Sequence, residues 1–342
     1  MELSKNISEV IQLSKSKIAK DSAIVLTGNF LGASIGFIAT ILITKTLGPA
    51  QFGLFSVALA VMDIASQFSD FGIGTGLVRF TCLYLNKDNQ KANLMLKVSL
   101  KLKLIIATLV FLIGFFTSES LAVHVFGKPE LIFPLKLAFI GAFGASLVGY
   151  ISATLQARQS FTKFTFVNLI NPIGKFALIG LLFLTYKLNL LSALTTVIIL
   201  PFIAFLIGSL IIPKDFLRAK GDENEAFHEL FHFSKWILVS TFCVMIFQRL
   251  DVLMLTYFKT AEVVGYYSAA YTFAFVFPLI TGTITTILLP KVSEISENGH
   301  LREYTKKSLK FTTPIIFPLI FLLFISRPVI LFIYGYEYLP SA

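Results

Sequence analysis

Charge is scarce in this chain of 342 residues. Asp, Glu, Lys and Arg make up 14% of it, against about 25% in soluble domains. Hydrophobic residues make up 56%, and mean hydropathy is +0.80. A soluble protein of this size could not hide so much apolar side chain, so that class is excluded. Cysteine is nearly absent: Cys82 and Cys243 lie at or inside apolar stretches far apart in sequence. Both are read as buried, inert thiols, and no compartment follows from them. A cleavage pattern of small residues is also missing after the polar, lysine-bearing lead of about 21 residues. The first apolar run is therefore a retained span and not a signal peptide. Several runs reach the roughly 20 apolar residues that cross a bilayer, so the chain is read as an all-α polytopic membrane protein.

The net charge of +10 does not indicate nucleic acid, because its distribution follows the loops. Helices are expected at about 22–44, 53–78, 98–117, 131–155, 166–186, 192–212, 236–258, 265–290 and 308–326. Alternate connections then collect the lysines and arginines: the leader, 79–103, 158–163, 214–235 and 291–310 hold 21 of them. The opposite connections hold five: Lys45, Lys128, Lys187, Lys259 and Arg327. The positive-inside rule accordingly places the N-terminus in the cytoplasm of a cell whose cytoplasmic membrane the chain spans. The surplus charge sets orientation, with some attraction to anionic membrane lipids.

Two stretches repeat. The segment Thr44–Phe80 reads as a Gly-Pro turn followed by a long apolar helix carrying acids, and it aligns with the segment beginning at Thr256 at an offset of 212. Thr44, Gly53, Ser56, Ala58 and Leu77 meet Thr256, Gly265, Ser268, Ala270 and Leu289. At an offset of 208, SESLAVHVFG ending at Gly127 meets SRPVILFIYG ending at Gly335. This pattern implies a duplicated unit of roughly 210 residues, as in parallel-repeat transporters. The expected organisation is a cytoplasmic segment at 1–21, a six-helix lobe at 22–212, a cytoplasmic linker at 213–235 and a second lobe at 236–342. Counterparts of the fourth to sixth helices are absent from that second lobe. The chain is therefore expected to be a fragment, carrying nine helices of twelve.

Polar groups at bilayer depth are the candidate functional residues, because a charge at the bilayer centre costs roughly 2.5–3.5 kcal/mol unless it finds a partner or water. Asp63, Gln67 and Asp70 share one helix face, as do Asn168, Asn171 and Lys175, and as do Thr241, Gln248 and Asp251, with Arg249 pointing elsewhere. These stripes imply either an aqueous cavity between the lobes or buried pairs, such as Asp63 with Lys175, that fix helix register. Lys175 and Arg249, with Asn171 and Gln67, are the candidate substrate-binding residues for an anion such as a lipid pyrophosphate. Asp63, Asp70 and Asp251 are candidates for carrying a coupling ion or balancing those cations. Tyr267 and Tyr271, one turn apart, suit either sugar stacking or an interfacial aromatic belt. Lys136 is expected to snorkel.

LGPAQFGLFSVALA followed by FSDFGIGTGLVRF resembles the first repeat of polysaccharide flippases, the O-antigen and repeat-unit transporters, and QRLDVLMLTYFKTAEVVGYYSAAY resembles the second. These belong to the superfamily of multidrug, oligosaccharidyl-lipid and polysaccharide exporters. The resemblance implies two six-helix lobes around a central cavity, alternating access, and movement of undecaprenyl-pyrophosphate-linked oligosaccharide from the cytoplasmic to the outer leaflet. It also implies cavity cations that meet the pyrophosphate, a role that suits Lys175 and Arg249. Lipid-linked oligosaccharide, membrane lipids and a polysaccharide polymerase are the partners so implied. No cofactor, metal or covalent step is expected. A multidrug antiporter of the same superfamily is the alternative, although its cavity should favour cations.

A second alternative is a zinc protease, since His228-Glu229-Leu230-Phe231-His232 matches H-E-x-x-H. That chemistry needs a third protein ligand and a supporting shell. No partner motif follows, and His300 falls in another loop. Asp70-Phe71-Gly72 and the glycines at 72, 74 and 76 resemble nucleotide-site motifs but lack the strand and domain those require.

Overall fold

The computed structural model describes residues 17–85, 87–274 and 326–341, and among them every regular element is helical. Helix α1, Lys17–Asp70, runs for 54 residues. A straight helix of that length would measure about 81 Å, more than twice the roughly 30 Å hydrocarbon core. Gly48 breaks it. Its φ of 69° and ψ of 171° suit a residue without a Cβ, and Pro49 fits the first turn of the next segment. The two arms, α1a (17–47) and α1b (49–70), fold back on each other. Positions nearly equidistant from Gly48, such as Ala33 and Asp63 or Thr40 and Ser56, line one cavity. In a straight helix Ala33 and Asp63 would stand about 45 Å apart.

The span expected over 53–78 is two helices. Phe71 and Gly72 both take positive φ (49° and 71°), and α2, Ile73–Leu85, follows. Gly72 is required because a Cβ there would lie 2.8 Å from Ser234 O and from Ile237 Cβ. Helix α3, Asn89–Ser120, starts nine residues before its expected position at 98, with Asp88 as N-cap accepting from the Lys91 N–H at 3.0 Å. Its lysines therefore sit on a helix and not in a loop. Helices α4 (Ile132–Ala157), α5 (Phe161–Leu184) and α6 (Leu190–Ile211) complete the first part. Beyond it, α7 (Glu223–Phe258) absorbs most of the expected linker, with Asp222 as N-cap. The described remainder is α8 (Ala261–Ala274) and α9 (Ser326–Ile333). Most of the helices expected at 265–290 and 308–326, and the basic cluster at 291–310, lie outside the described residues.

Among the described residues five helices are long and apolar enough to cross a membrane, and the two arms of α1 supply two crossings, so the chain is a multi-pass membrane protein. Helix α4 is the most enclosed of them, 61% of its apolar window being buried. Its small residues admit neighbours closely: a Cβ at Gly141 would meet Met62 Sδ at 2.7 Å. The polar first turns of α3 and α7 project beyond the apolar segments and clasp each other. Lys97 and Lys101 pair with Glu223 at 2.9 and 2.5 Å, and Lys91 pairs with Glu225 at 3.0 Å. Both cysteines are free and exposed, correcting the expectation of buried thiols.

The repeat offset reappears in the coordinates as reciprocal contacts. A Cβ on Gly53 would lie 1.8 Å from Ala261 O, and one on its counterpart Gly265 would lie 1.9 Å from Pro49 O. Pro49 and Ala261 are themselves 212 apart, so each repeat presses the same backbone position against the other's glycine. The second match behaves alike. Gly127 and Gly335 both take positive φ (61° and 96°), and each precedes a 3-10 turn, Pro129–Leu131 and Tyr336–Ser341. From the first turn, Lys128 Nζ donates to the carbonyls of Thr256 and Lys259 (2.8 Å for the latter). From the second, Tyr338 OH donates to the Thr44 carbonyl at 2.8 Å. Thr44 and Thr256 are equivalent positions.

Candidate functional site

A cavity of about 430 Å³ lies where α1a, α1b, α5, α7 and α8 converge. Four pairs of repeat-equivalent residues face it: Phe37 with Arg249, Thr40 with Val252, Ser56 with Ser268, and Leu59 with Tyr271. The two repeats thus contribute matching walls, and the charge sits unequally on them. Arg249 stands where the first repeat has phenylalanine. Asp63 and Lys175 are the other charged side chains among the described lining residues.

Asp63 accepts a hydrogen bond from the Arg249 guanidinium across 186 positions of sequence. The pair is half-open, with the side chains 48% and 31% exposed respectively. Asp63 thus pairs with Arg249 and not with Lys175, the partner that the alternative of buried pairs named, and Arg249, on a different face from Asp251, lines the cavity. Lys175 Nζ donates to Thr40 Oγ1 at 2.9 Å, and among the described residues no carboxylate contacts it directly. Among the described residues two cations face one carboxylate, a surplus of positive charge that suits an anion.

The other sequence candidates lie elsewhere. Asn171 is on α5 one turn before Lys175, with its side-chain oxygen buried and unpartnered. Gln67 is exposed on α1b, beside a crevice of about 10 Å³ formed with α7 residues such as Thr241 and Phe242. Asp70 pairs with Lys103 at 2.5 Å, and the Lys103 side chain is only 2% exposed. The sequence groups Lys103 with the loop lysines, and this buried pair on α3 corrects that. The glycine at 149 leaves room for it, since a Cβ there would lie 3.1 Å from Lys103 Nζ. Asp251 accepts a hydrogen bond from Tyr267 OH, and Tyr267 stacks on Tyr271, which reaches the cavity wall. The Lys136 ammonium lies 5.7 Å from the Phe115 ring centre, within reach of a cation–π contact.

In the H-E-x-x-H segment, Glu229 accepts from Tyr84 OH at 2.7 Å and lies 3.7 Å from Lys91. Its carboxylate thus serves the α3–α7 clasp. Among the described residues no three metal-binding side chains converge. Sequence reading missed Thr40 and Phe37 as wall residues, although shifting Val252 and Arg249 by the repeat offset leads to both.

Residues 42–342 match the family described as "Polysaccharide biosynthesis protein". A "Putative O-antigen transporter" of Shigella flexneri is 23% identical over 294 residues, covering 84% of this chain and 68% of its own length. An uncharacterized membrane protein of Methanocaldococcus jannaschii is 21% identical, covering 96% of this chain and 69% of its own. No solved structure gives a significant match. With most of its length matched, and with its apolar helices, the chain belongs to the polysaccharide biosynthesis family of multi-pass membrane proteins, the polysaccharide and O-antigen flippases.

Proposed function

We propose that this protein flips a lipid-linked oligosaccharide, anchored through undecaprenyl pyrophosphate, from the cytoplasmic to the outer leaflet of the cytoplasmic membrane. In this reading two lobes built on the repeated unit, the first over 22–212 and the second from 236, rock about the shared cavity. The N-terminus lies in the cytoplasm. The pyrophosphate meets Lys175 and Arg249, while Asp63 balances their charge when no substrate is bound. A polymerase acting on the delivered repeat units would be the next partner.

The observation that carries the reading is the pairing of repeat-equivalent walls around a cavity holding two cations and one carboxylate. Equivalent surfaces meeting at the site allow one rigid-body rotation to open either end. The surplus cation favours an anionic cargo over the cationic compounds of a multidrug antiporter.

Complementation in a host lacking its own flippase tests this, using the full-length gene. Lys175→Ala and Arg249→Ala should each abolish surface polysaccharide while protein levels stay unchanged. Wild-type polysaccharide in the double variant would refute the assignment.

A further inference from the structure

A row of half-open cavities, largely apolar in lining but carrying Asp21, Asn29, Gln156, Gln159, Thr165 and Asn168, runs along the first six helices. The largest, about 700 Å³, opens among α1a, α2, α4 and α5 at Asp21, Cys82 and Gln159. The next, about 340 Å³, shares Asn29 with the first and lies between α1a and α5. It shares Ala33 with the cavity that holds Lys175. Each exceeds by several-fold the roughly 30 Å³ of one water.

The seam follows two parallel stripes. On α1a, Ser22, Leu26, Asn29, Ala33 and Thr40 recur every three to seven residues, and on α5 Phe161, Thr165, Asn168, Pro172 and Lys175 recur every three or four. That spacing keeps each set on one helix face. Along α5 the stripe covers about 21 Å. Gly28 and Gly32 bring α1a against α5, a Cβ on Gly28 falling 2.1 Å from Thr165 Cγ2, so the cavities lie alongside that contact and not through it.

Two polar groups in the middle of the seam have lost their partners. The Thr165 hydroxyl is buried, with the residue 9% exposed, and has no hydrogen-bond partner in the protein. Pro172 has no N–H, so the Asn168 carbonyl loses its helical donor. Stranding such groups dry costs about 1–3 kcal/mol each, and water in a polar cavity of this size removes that cost.

Lys175 needs the same water. Its ammonium donates to the neutral hydroxyl of Thr40, and Asp63 is engaged by Arg249. The neighbouring route between α1b and α7 is packed. Phe68 and Phe242 have ring centres 5.6 Å apart, beside a crevice of only about 10 Å³. At the Gly48 end, Gly53 and Gly265 press on the facing backbone.

We propose that the α1a–α5 seam is a water-filled access path that connects the Asp21 end of the protein to Lys175, separate from the cleft between the repeats. Its ligand is water, together with solutes small enough to travel with it, and its role is to keep the Lys175 ammonium solvated at bilayer depth.

The test is chemical labelling of the full chain in membrane vesicles of both orientations, in a Cys82→Ser, Cys243→Ser background. Thr165→Cys and, separately, Asn168→Cys are treated with the membrane-impermeant cation MTSET, and unreacted thiol is counted after denaturation. Both thiols should react from the Asp21 side. Adding Asn29→Phe, or Leu26→Trp as an independent plug, should slow the reaction at least tenfold. Thiols that stay unreacted until denaturation would overturn the seam, and so would rates that neither plug alters. Labelling requires no transport, so the result stands apart from the identity of the cargo.

Discussion

The reciprocal glycine contact makes a quantitative prediction. At Gly53 an added methyl would sit 1.8 Å from Ala261 O, and at Gly265 1.9 Å from Pro49 O. An ordinary carbon–oxygen contact is about 3.3 Å, so α1b and α8 would have to separate by about 1.5 Å. The atoms struck are main chain and cannot rotate away. Overpacking of this kind costs roughly 1–3 kcal/mol, which lowers a thermal midpoint by roughly 2–10 °C. Gly53→Ala and Gly265→Ala should show nearly equal losses, because each breaks the same contact from opposite sides. One separation relieves both clashes, so the double variant should fall well short of the sum of the singles. Gly180→Ala is the control, since nothing lies within 4 Å of its added Cβ. Detergent-solubilised protein, heated and then assayed for monodisperse material by size exclusion, provides the measurement. Unaltered midpoints in either single variant, or strict additivity in the double, would refute the reciprocal packing.

Two further outcomes follow from the charged groups. Asp70→Asn leaves a lysine buried to 2% exposure without its carboxylate and should cost roughly 3–5 kcal/mol. Lys103→Met strands only the 29% exposed Asp70, which water can reach, and should cost clearly less in the same thermal assay. In the α3–α7 clasp, the ammonium groups of Lys101 and then Lys97 hold the Glu223 carboxyl below its ordinary value of 4.5. A depressed folded-state pKa gives stabilisation that is complete above the unfolded value and lost as pH falls through the folded one. Protection of the first α7 amides, measured as exchange relative to the intrinsic rate at each pH, should therefore fall below about pH 4.5 in the native chain and lose that acid-dependent step in Glu223→Gln.

Much of the architecture was legible because lipid imposes it: apolar runs must be helices of bilayer length. The Gly-Pro break at Gly48 showed in the residues themselves, and Gly127 and Gly335 showed as the matched ends of two repeated segments, though not as turns. The break at Phe71–Gly72 did not, because apolar spacing runs straight through it and its cause is a close approach of α7. The early start of α3 was hidden by lysines that look like loop, although Asp88 followed three residues later by a helical N–H donor was a cap signal. The cavity residues Asp63, Lys175 and Arg249 were visible as polar intrusions into apolar sequence. Their partners were not: Asp63 with Arg249 and Asp70 with Lys103 are joined by packing between distant helices, which residue spacing within one helix cannot reveal.

The turns that follow Gly127 and Gly335 have a consequence for how such a protein can be divided. Each turn supplies hydrogen bonds to a helix that belongs to the other copy of the repeat, as two people might button each other's coats. Neither copy is finished by itself. Split at the segment between α6 and α7 and co-produced as two polypeptides, the pieces should find each other. An ancestral single unit with the same turn would have had to pair with its twin.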